Sequence, residues 1–373
     1  MYEDEINLTQ AEYYMQECFD LAQMALGRTS PNPIVGAIVL DEKGMPVGKG
    51  YHNKAGLDHA EVIAINQAGS RSKNGTLVVN LEPCCHVGKT PACTDLIIKS
   101  GIKQVVFSSF DPNSPAGKKG KEVLQSNGIK VISGVLEDEG KELNKFFFKW
   151  INKKLPWVTL KQGQTLDGMV SMKNTKSKWI TSEDSRHEVH KLRNIYDAIM
   201  ISSKTVSSDN PELTVRNIKD GRSPAKIILD SALTTKPESK VYNDNSLIFL
   251  VTQPKHPKNK IEPYLERNKN IKIVEVPCLA NERLDLFSVF SHLAKNDILS
   301  ILIEAGPTLA GELLNLQLID EYILFIALRV FGGNNGIPSI ELNTLKEMGN
   351  SPVFKLYNYQ LIGNDLMLSL RPV

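Results

Sequence analysis

Residues 81–93 are Leu81-Glu82-Pro83-Cys84-Cys85-His86-Val87-Gly88-Lys89-Thr90-Pro91-Ala92-Cys93, and the run His59-Ala60-Glu61 lies upstream of them. His59, Cys84 and Cys93 offer three ligands of the kinds that zinc prefers. A catalytic zinc site uses three protein ligands and leaves its fourth position to water. Glu61 lies two residues from His59, where a carboxylate can move protons for that water without touching the metal. The pattern predicts one catalytic Zn²⁺ per chain, with Glu61 as acid and base.

Local signals predict that these ligands lie close together. Asp58 fits the N-cap of the helix that follows it, so Glu61 would lie in the first turn of that helix. Pro91 fits the first position of a helix over residues 93–100, so Cys93 would lie in its opening turn. H-x-E followed by P-C and a second cysteine is the signature of zinc deaminases, whose glutamate is the general acid and base.

A structural zinc site is the main alternative, because such sites use four protein ligands. Cys85 or His86 could provide the fourth ligand, but the acidic residue of the H-x-E motif would then have no role. The spacing is also unusual, since eight residues separate Cys84 from Cys93, whereas base and nucleoside deaminases have two between their cysteines. The inserted loop holds Gly88-Lys89-Thr90 before a helix, where a substrate phosphate could bind.

Length and composition favour a two-domain protein of the cytoplasm. The chain has 373 residues, 41% of them hydrophobic, and its 44 basic and 42 acidic residues give a net charge of +2. Such a balanced charge argues against binding to nucleic acid or to a membrane surface. The acidic N-terminus lacks the apolar core of a signal peptide, and the longest apolar run, residues 322–328, is too short to span a bilayer. Five cysteines, three of them clustered, suit a reducing compartment and a metal.

Alternating apolar runs and helical patterns predict an α/β fold throughout. Strands are predicted at residues 34–40, 76–80, 104–108, 130–133, 157–161, 198–201, 226–229, 247–251, 272–274, 300–303 and 321–327. Helices are predicted over residues 10–27, 60–68, 93–100, 117–127 and 137–152. Because the residue before Pro156 disfavours helix, we expect the domain boundary near it, with domains at residues 1–152 and 153–373.

The second half carries weaker signals of its own. It has no G-x-G-x-x-G after a strand, so the usual dinucleotide fingerprint is absent. The strand at residues 300–303 leads into Glu304-Ala305-Gly306-Pro307-Thr308-Leu309-Ala310-Gly311. Backbone N–H groups at such a helix start could bind the phosphates of a dinucleotide, and an ordinary strand–helix turn is the alternative. Arg193 and Arg216 could each hold a substrate phosphate at two points, or each could be a surface residue.

Further motifs are spread over nearly the whole chain. They are Ser30-Pro31-Asn32-Pro33-Ile34-Val35-Gly36, His59-Ala60-Glu61-Val62, Asp111-Pro112-Asn113, Leu166-Asp167-Gly168, Ser177-Lys178-Trp179-Ile180-Thr181-Ser182, Asp209-Asn210-Pro211-Glu212-Leu213-Thr214-Val215-Arg216 and Glu304-Ala305-Gly306-Pro307-Thr308-Leu309. Together with the long loop between the cysteines, they resemble the bifunctional riboflavin-biosynthesis deaminase/reductase family. The resemblance implies a three-layer cytidine-deaminase-like domain followed by an α/β reductase domain of dihydrofolate-reductase-like fold.

The resemblance also implies a small-molecule substrate, a pyrimidine ribosyl phosphate, which the first domain deaminates with zinc and the second reduces at the ribosyl group with NADPH. In the first domain it implies substrate contacts from Asn32, Lys89, Asp111 and Asn113. In the second it implies substrate contacts from Ser177, Arg193, Leu213, Arg216 and Glu304. Lys161 is also expected at the substrate, since Lys161 and Asp209 are the polar groups expected near the transferred hydride. Cofactor contacts are implied for Gly163, Trp179, Thr205, Asp209, Ser231 and the run Gly306-Pro307-Thr308-Leu309-Ala310-Gly311-Glu312. No nucleic-acid or membrane partner is expected, and a homo-oligomer is left open.

The chain departs from the family pattern at four positions near these motifs. Cys85 stands where Ser is usual, Val87 where a polar or aromatic residue is usual, Ala92 where Pro is usual, and Met169 where a basic residue is common. None of the four is one of the three predicted catalytic ligands or Glu61. Two other functions stay open: a monofunctional nucleoside or tRNA deaminase with an unrelated second domain, and a non-catalytic zinc-binding protein. The near-neutral charge and the long loop count against the first.

Overall fold

The computed structural model describes residues 6–85, 91–113, 119–173, 179–342 and 347–373. The chain divides into two units, Met1–Lys154 and Leu155–Val373, and each is described by itself. The boundary expected from the sequence lies between residues 152 and 153, and the last helix of the first unit continues to Lys153. Within the described ranges, no helix combines the length and the apolar character that crossing a membrane requires.

The first unit contains one mixed sheet with helices on both faces. Its elements are α1 (Leu8–Gln23), β1 (Gly36–Leu40), β2 (Pro46–Tyr51), α2 (Ala60–Ala68), β3 (Thr76–Leu81), α3 (Cys93–Lys99), β4 (Gln104–Ser109), α4 (Gly120–Ser126), β5 (Lys130–Ser133), α5 (Glu137–Leu143) and α6 (Lys145–Lys153). In the described residues the strand order is β2-β1-β3-β4-β5. β1 runs antiparallel to both of its neighbours, whereas β3, β4 and β5 are parallel.

The sheet of the first unit is buried on both faces. In β1, Ala37 and Val39 join the apolar cluster that includes α2. Ile38 and Leu40 join a second cluster, which includes α1. Because successive strand residues point to opposite faces, a strand covered on both sides needs apolar residues throughout. This explains why β1 is a continuous apolar run and not an alternating one.

Glycines in β2 allow α2 to pack directly on the strand backbone. A Cβ atom at Gly48 would lie 2.1 Å from the carbonyl oxygen of Ala64, and one at Gly50 would lie 2.6 Å from that of Ala60. Side chains at either position would push α2 away from the sheet. The sequence-based prediction misses β2, and this strand fixes the start of the helix that carries Glu61.

Two buried asparagines hold the segment before β1. Asn144 accepts a hydrogen bond from Ile34 N (2.9 Å) and donates one to Ile34 O (3.0 Å). Asn80 accepts from Gly36 N (2.8 Å) and also donates to Ile34 O (3.1 Å). The two side-chain amides thus make backbone hydrogen bonds that a neighbouring strand would otherwise make. The prediction of one helix over residues 137–152 is wrong, because the chain leaves helical geometry at Asn144 (φ −106°, ψ 24°) between α5 and α6.

The second unit is built on a larger sheet. Its elements are β6 (Trp157–Thr165), β7 (Met169–Met172), α7 (Glu183–Ile195), β8 (Ala198–Ser202), α8 (Ser203–Asp209), β9 (Ala225–Leu229), β10 (Ile248–Thr252), α9 (Lys258–Arg267), β11 (Ile271–Glu275), α10 (Leu286–Ala294), β12 (Ser300–Glu304), α11 (Pro307–Asn315), β13 (Glu321–Ala327), β14 (Gly336–Pro338), β15 (Phe354–Ile362) and β16 (Asp365–Pro372). The sequence predicts the strands up to β13 except β7, and it misses β7, β14, β15 and β16.

Seven strands of the second unit are parallel. In the described residues the order is β11-β10-β9-β8-β12-β6-β13-β16-β15. Every pair from β11 to β13 is parallel, and β16 and β15 continue the sheet antiparallel. The carboxyl ends of the parallel strands therefore lie along one edge, which is where open α/β sheets bind their ligands.

Candidate active sites

Three donor atoms from three elements meet in the first unit. His59 is the N-cap residue of α2, Cys84 follows β3, and Cys93 is the first residue of α3. His59 Nδ1 lies 3.2 Å from Cys93 Sγ and 3.7 Å from Cys84 Sγ, and all three ligand atoms lie within 4.8 Å of one another. Tetrahedral zinc, bound at about 2.0 Å by nitrogen and about 2.3 Å by sulfur, separates its ligand atoms by roughly 3.5 Å. The three residues fit zinc.

The predicted N-cap at Asp58 and the predicted first helical residue at Pro91 are both wrong, although His59, Cys84 and Cys93 lie close together as predicted. The N-cap of α2 is His59 and not Asp58, and the N-cap of α3 is Ala92, so Pro91 lies outside the helix. The carbonyl of Asp58 instead accepts a hydrogen bond from His52 Nδ1 (3.0 Å). Each helix therefore begins at its metal-ligand candidate or next to it.

The two cysteines have opposite protonation preferences. The hydrogen bond from Cys93 lowers the pKa of the Cys84 thiol to about 4, against the effect of burial. The same contact, together with burial, raises the pKa of Cys93. The hydrogen bond to Cys84 also raises the pKa of His59. These contacts favour the thiolate of Cys84, which is the form of cysteine that binds a metal.

Glu61 lies in the first turn of α2 and is 4% exposed. Burial raises the pKa of its carboxyl, and the negative charge of Cys84 raises it further. A carboxyl group with a raised pKa titrates closer to neutral pH, where it can both accept and return a proton. The burial and the raised pKa of Glu61 agree with the acid and base role predicted from the sequence.

A cavity of about 330 Å³ opens beside these residues. His59, Cys84 and Glu61 line one part of its wall. Asn32, Asp111 and Asn113, all predicted to bind substrate, line another part together with Leu57 and Phe147. The fourth predicted substrate residue of this unit, Lys89, lies outside the described residues. Of the described residues that the sequence assigned to the deaminase, all line this cavity except Cys93, which contacts His59 behind the wall.

Two buried residues of this cavity, His52 and Glu82, belong to none of the sites predicted from the sequence. His52, 2% exposed, accepts a hydrogen bond from the side chain of Asn32 at Nε2 (3.1 Å), and burial lowers its pKa. Glu82, 3% exposed, accepts from the backbone N of Asp111 (3.2 Å) and of Lys121 (2.9 Å). Both residues orient predicted substrate ligands. Glu82 lies within the motif of residues 81–93, but the backbone groups that donate to its carboxylate are distant in sequence.

An ion-pair cluster lies at the carboxyl end of β12 in the second unit. Glu304 is the last residue of β12 and lies beside Lys161 of β6 in the sheet register. Arg193 donates to both oxygens of Glu304, from Nε (2.7 Å) and from Nη2 (3.0 Å), and Lys161 Nζ lies 3.8 Å from Oε2. Although burial opposes its charge, the cations of Arg193 and Lys161 lower the pKa of Glu304 to about 2. Burial lowers the pKa of Lys161.

The segment from Leu213 to Arg216 is attached to this cluster. Arg193 Nη1 donates to Thr214 O (3.3 Å), and the backbone N of Arg216 donates to His190 Nδ1 (3.3 Å). Leu213 is buried and has a φ of 57°. The Arg216 side chain is exposed and forms an ion pair with Glu212 (2.6 Å). His190, which the sequence analysis did not single out, thus helps to position the segment. Ser177 lies outside the described residues.

The predicted cofactor residues are distributed along the carboxyl edge of the parallel strands. Gly163 is on β6, Thr205 and Asp209 are on the helix after β8, and Ser231 follows β9. A Cβ atom at Gly163 would lie 3.2 Å from the Thr181 side chain. Trp179 is 61% exposed, and the Arg186 guanidinium lies 4.7 Å from its ring centre. The strand order places the elements that carry Gly163, Thr205, Asp209 and Ser231 side by side in the sheet.

The residues from Gly306 to Glu312 form the start of α11, and some of them contact the apolar core while others contact Glu341 or Arg283. Gly306 is the N-cap of α11, with Pro307 as the first helical residue, so the first backbone N–H groups of this helix have no partner within it. A Cβ atom at Gly311 would lie 1.9 Å from Glu341 O, and Glu312 forms an ion pair with Arg283. Leu309 and Ala310 pack with the apolar core of the unit. Thr308 donates a hydrogen bond to the carboxylate of Glu341 (2.8 Å).

Comparison with known proteins extends this picture. Residues 8–109 match the family model described as the cytidine and deoxycytidylate deaminase zinc-binding region, and residues 156–368 match the RibD C-terminal domain. The chain is 39% identical over 355 residues to the riboflavin biosynthesis protein RibD of Aquifex aeolicus, covering 95% of this chain and 96% of the relative. It belongs to the RibD family. The RibD protein of Escherichia coli is 37% identical, covering 97% of this chain and 99% of the relative.

Solved RibD structures have the same fold. The diaminohydroxyphosphoribosylaminopyrimidine deaminase/5-amino-6-(5-phosphoribosylamino)uracil reductase of Thermotoga maritima is 36% identical, with a TM-score of 0.86 over 98% of this chain and 99% of that one. RibD of Acinetobacter baumannii is 31% identical, with a TM-score of 0.87 over 98% of this chain and 100% of that one.

Membership of the RibD family confirms the fold and the general activity predicted from the sequence. The first unit is a cytidine-deaminase-like domain that binds zinc, and the second is a dihydrofolate-reductase-like domain that uses NADPH. The chain is a bifunctional enzyme of riboflavin biosynthesis, a deaminase and a reductase acting on a small molecule. The two alternatives considered, a deaminase with an unrelated second domain and a non-catalytic zinc protein, are excluded.

Proposed function

We propose that the first unit removes the 2-amino group of 2,5-diamino-6-ribosylamino-4(3H)-pyrimidinone 5′-phosphate, and that the second reduces the ribosyl group of the product to ribityl. The observation that carries the first step is the His59, Cys84 and Cys93 cluster, with buried Glu61, at the wall of one cavity. The substrate agrees with the two activities named for the Thermotoga maritima relative.

In the proposed deamination, water replaces an amino group and ammonia leaves. When bound to His59, Cys84 and Cys93, zinc lowers the pKa of water toward about 7 and so makes it a nucleophile at neutral pH. The Glu61 carboxylate accepts a proton from the water and passes it to the departing nitrogen, so the carboxylate is regenerated. Asn32, which is oriented by His52, holds the pyrimidine in the cavity.

Asp111, Asn113 and Lys89 complete the proposed substrate contacts of the deaminase. The Asp111 side chain accepts a hydrogen bond from the backbone N of Asn113 (2.9 Å), and Glu82 fixes the backbone of Asp111. This arrangement places a carboxylate and an amide side by side at the cavity wall. Such a pair can accept from and donate to the polar edge of a pyrimidine.

The proposed reduction acts on the ring-opened imine form of the ribosylamine: a hydride adds to C1′ and a proton to the nitrogen of the C1′=N double bond. NADPH supplies the hydride when it is bound. Lys161 is the proton donor, because burial lowers the pKa of its ammonium group and a weaker base gives up its proton more readily. Glu304 keeps Lys161 in place from 3.8 Å, and Arg193 holds Glu304.

The substrate phosphate of the second unit is assigned to Arg216, and Leu213 and Ser177 are assigned to the same substrate. The Arg193 guanidinium already makes two hydrogen bonds to Glu304, so Arg193 supports the site instead of holding a phosphate at two points. Arg216 is half exposed, and its guanidinium forms an ion pair with the carboxylate of Glu212, which is itself exposed. A phosphate can displace a carboxylate from such a solvent-exposed pair.

NADPH is assigned to the carboxyl edge of the parallel strands. Its pyrophosphate would bind the N-terminus of α11 at Gly306 and Pro307, because the first N–H groups and the helix dipole favour anions there. Thr308, Leu309, Ala310, Gly311 and Glu312 follow in the same helix and are assigned to the same part of the cofactor. Gly163 and Trp179 are assigned to its nicotinamide end. Thr205, Asp209 and Ser231 are assigned to the rest of the NADPH molecule. Gly311 supports the site through packing, since it allows the Glu341 backbone to approach.

Product analysis tests this proposal. Purified protein is incubated with the pyrimidinone phosphate, with and without NADPH, and the products are identified by mass. Without NADPH we expect the deaminated ribosylamino compound and one equivalent of ammonia, and with NADPH the ribitylamino compound. Formation of ammonia from unphosphorylated nucleosides, but not from this substrate, would contradict the proposal.

We also propose functional domains at residues 1–152 and 153–373. Support comes from the two units and from the position of the metal-ligand candidates, which all lie in the first of them. A protein cut between residues 152 and 156 should yield an N-terminal part that binds zinc and releases ammonia but does not oxidise NADPH. An N-terminal part that folds and oxidises NADPH would contradict the assignment.

A homo-oligomer in the cytoplasm is the form that we propose for the whole chain. β15 is an edge strand of the second sheet, and its Tyr359 and Leu361 side chains are 65% and 75% exposed. An exposed edge with apolar side chains can pair with the same strand of a second copy. The five free cysteines agree with a reducing compartment. Light scattering tests the proposal: a monomer at all concentrations would contradict it.

A further inference from the structure

Gln162 is a buried amide next to the proposed proton donor of the reductase. It follows Lys161 on β6 and is 3% exposed. Successive strand residues point to opposite faces of a sheet, so Gln162 shares a face with Leu160, and Lys161 lies on the other. Leu160 belongs to the same apolar cluster as Leu313 of α11. The Gln162 side chain is therefore on the face of the sheet that α11 covers.

The Gln162 amide connects three separate parts of the second unit to β6. Its Nε2 atom donates hydrogen bonds to the carbonyl oxygens of Ala305 (3.2 Å) and Ser339 (2.7 Å). Its Oε1 atom accepts one from the hydroxyl of Tyr322 (2.7 Å). Because carbonyl oxygens only accept, the NH₂ end of the amide is the end that faces Ala305 and Ser339. Both of its N–H donors are thus used on backbone carbonyls.

Ala305 is the residue before the N-cap of α11. Its carbonyl shares one planar trans peptide unit with the N–H of Gly306, so the two groups point in opposite directions. Buried Gln162 holds the carbonyl, and the N–H of Gly306 therefore points away from the Gln162 side chain. Pro307 has no N–H, so Gly306 provides the first donor at this end of the helix.

The same amide also fixes the segment that contacts the first turn of α11. Ser339 leads to Glu341, whose backbone N donates to Pro307 O (3.2 Å) and whose carboxylate accepts from Thr308 Oγ1 (2.8 Å). Gln162 therefore ties both the approach to α11 and the segment on its first turn to β6. A side chain of the same size without donors would leave both carbonyls without this hydrogen bond.

We propose that Gln162 is a positioning residue of the reductase, which turns the Gly306 N–H toward the pyrophosphate of NADPH by holding the Ala305 carbonyl. Its role is indirect, because it acts through the direction of one peptide unit. The inference rests on the proposed position of the pyrophosphate at α11 and adds the residue that orients the first donor there. Since hydrogen bonds weaken steeply when they are misaligned, a peptide unit free to rotate would bind the anion less tightly.

Three variants of the full-length protein test the inference by binding alone. Isothermal titration measures the affinity for NADPH, and inorganic pyrophosphate is the competing probe. Gln162→Met keeps the length of the side chain and removes both donors. Gly306→Pro removes the N–H itself, and the φ of −73° at this position suits proline. Tyr322→Phe is the control, because it removes the hydroxyl that donates to Gln162 and leaves both hydrogen bonds from Nε2.

Q162M and G306P should each weaken the binding of NADPH and of pyrophosphate by about tenfold. The double variant should bind no more weakly than the worse of the two, because both substitutions act on one donor. Y322F should bind as wild type does. In steady-state reduction, Q162M should raise the KM for NADPH with kcat nearly unchanged. Additive effects, or wild-type affinity in G306P or in a Q162M protein with normal thermal unfolding, would overturn the inference.

Hydrogen exchange in wild type separates this inference from the position of the cofactor. Bound NADPH should slow exchange at the amides of Gly306, Thr308 and Leu309. Without that protection, the proposed position of the pyrophosphate fails together with the inference. With that protection and an unchanged Q162M, the inference alone fails. If Q162M does not fold, Gln162→Glu takes its place, since an ionised carboxylate keeps the acceptor for the tyrosine and donates to neither carbonyl. Its affinity for NADPH should fall equally, and wild-type affinity would overturn the inference.

Discussion

The guanidinium of Arg193 and the carboxylate of Glu304 form a two-point ion pair, with 2.7 Å from Nε to Oε1 and 3.0 Å from Nη2 to Oε2. The two residues are 111 positions apart in sequence. Lys161 approaches the same carboxylate from the neighbouring strand. Glu304 therefore carries a charge that two cations stabilise, and this has a consequence for the pH dependence of folding.

Glu304 should make the stability of the second unit depend on acid pH. Its pKa falls from 4.5 to about 2 in the folded protein, so the folded state binds fewer protons and is stabilised above pH 4.5. That contribution is lost as the pH falls from about 4.5 toward 2. We expect the free energy of unfolding, measured by urea titration between pH 6 and 3, to fall more steeply in wild type than in Glu304→Gln. Parallel curves for the two proteins would contradict this expectation.

Replacing Glu61 with glutamine should separate metal binding from catalysis. The substitution keeps the size of the side chain and all three ligand candidates, so zinc should stay at one ion per chain. Ammonia release should fall by about 10²–10⁴-fold, the usual effect of losing a positioned acid and base. Metal analysis and an ammonia assay measure the two effects. Reduction of pre-deaminated substrate is the control, and it should be unchanged. Normal deamination by E61Q would show that another group moves the proton.

Removing zinc should abolish only the first activity. A chelator that strips the metal from His59, Cys84 and Cys93 should stop ammonia release, because Glu61 alone cannot make water a sufficient nucleophile at neutral pH. Adding Zn²⁺ back should restore the activity. Oxidation of NADPH with pre-deaminated substrate should continue in the stripped protein. Loss of both activities, with the fold retained by circular dichroism, would place a metal requirement in the second unit too.

Arg216 and its partner Glu212 should act in opposite directions on the reductase. Arg216→Ala should raise the KM for the pyrimidine phosphate by about threefold to tenfold, because an exposed charge-assisted contact is lost. Glu212→Gln should lower the KM or leave it unchanged, since it removes the carboxylate that competes for the guanidinium. Ammonia release is the control in both variants. An R216A protein with altered deamination and normal reduction would disprove the assignment.

The sequence predicted the close approach of His59, Cys84 and Cys93 because the pattern around them is largely local. Cys84 and Cys93 are nine positions apart, and the three ligands lie at the ends of elements whose apolar periodicity was clear. The precise caps were wrong because capping depends on side-chain rotation, which the sequence does not determine. The strand β15 was missed for a different reason. It is exposed on both faces, so it has no alternation of buried and exposed residues for a pattern to reveal.

The supporting contacts of both sites were beyond sequence reasoning. Arg193 looked like a phosphate ligand, and only the folded chain brings Glu304 to its guanidinium. His52 and Glu82 orient the substrate residues of the first unit through hydrogen bonds to Asn32 and to the Asp111 backbone. Residue types and spacing can show which groups have the chemistry for a site. They do not show which of those groups is already hydrogen-bonded to another residue of the protein.

The two hydrogen bonds between Ile34 and Asn144 span 110 positions, and they have a kinetic consequence. The wall of the deaminase cavity at Asn32 cannot be completed until the last part of the first unit has been synthesised and folded. A nascent chain ending before residue 144 would hold the zinc ligands but leave this wall unsupported. The Ile34 amide should then exchange its hydrogen with solvent only when the connection to Asn144 opens, which makes that single amide a reporter of when the pocket is formed.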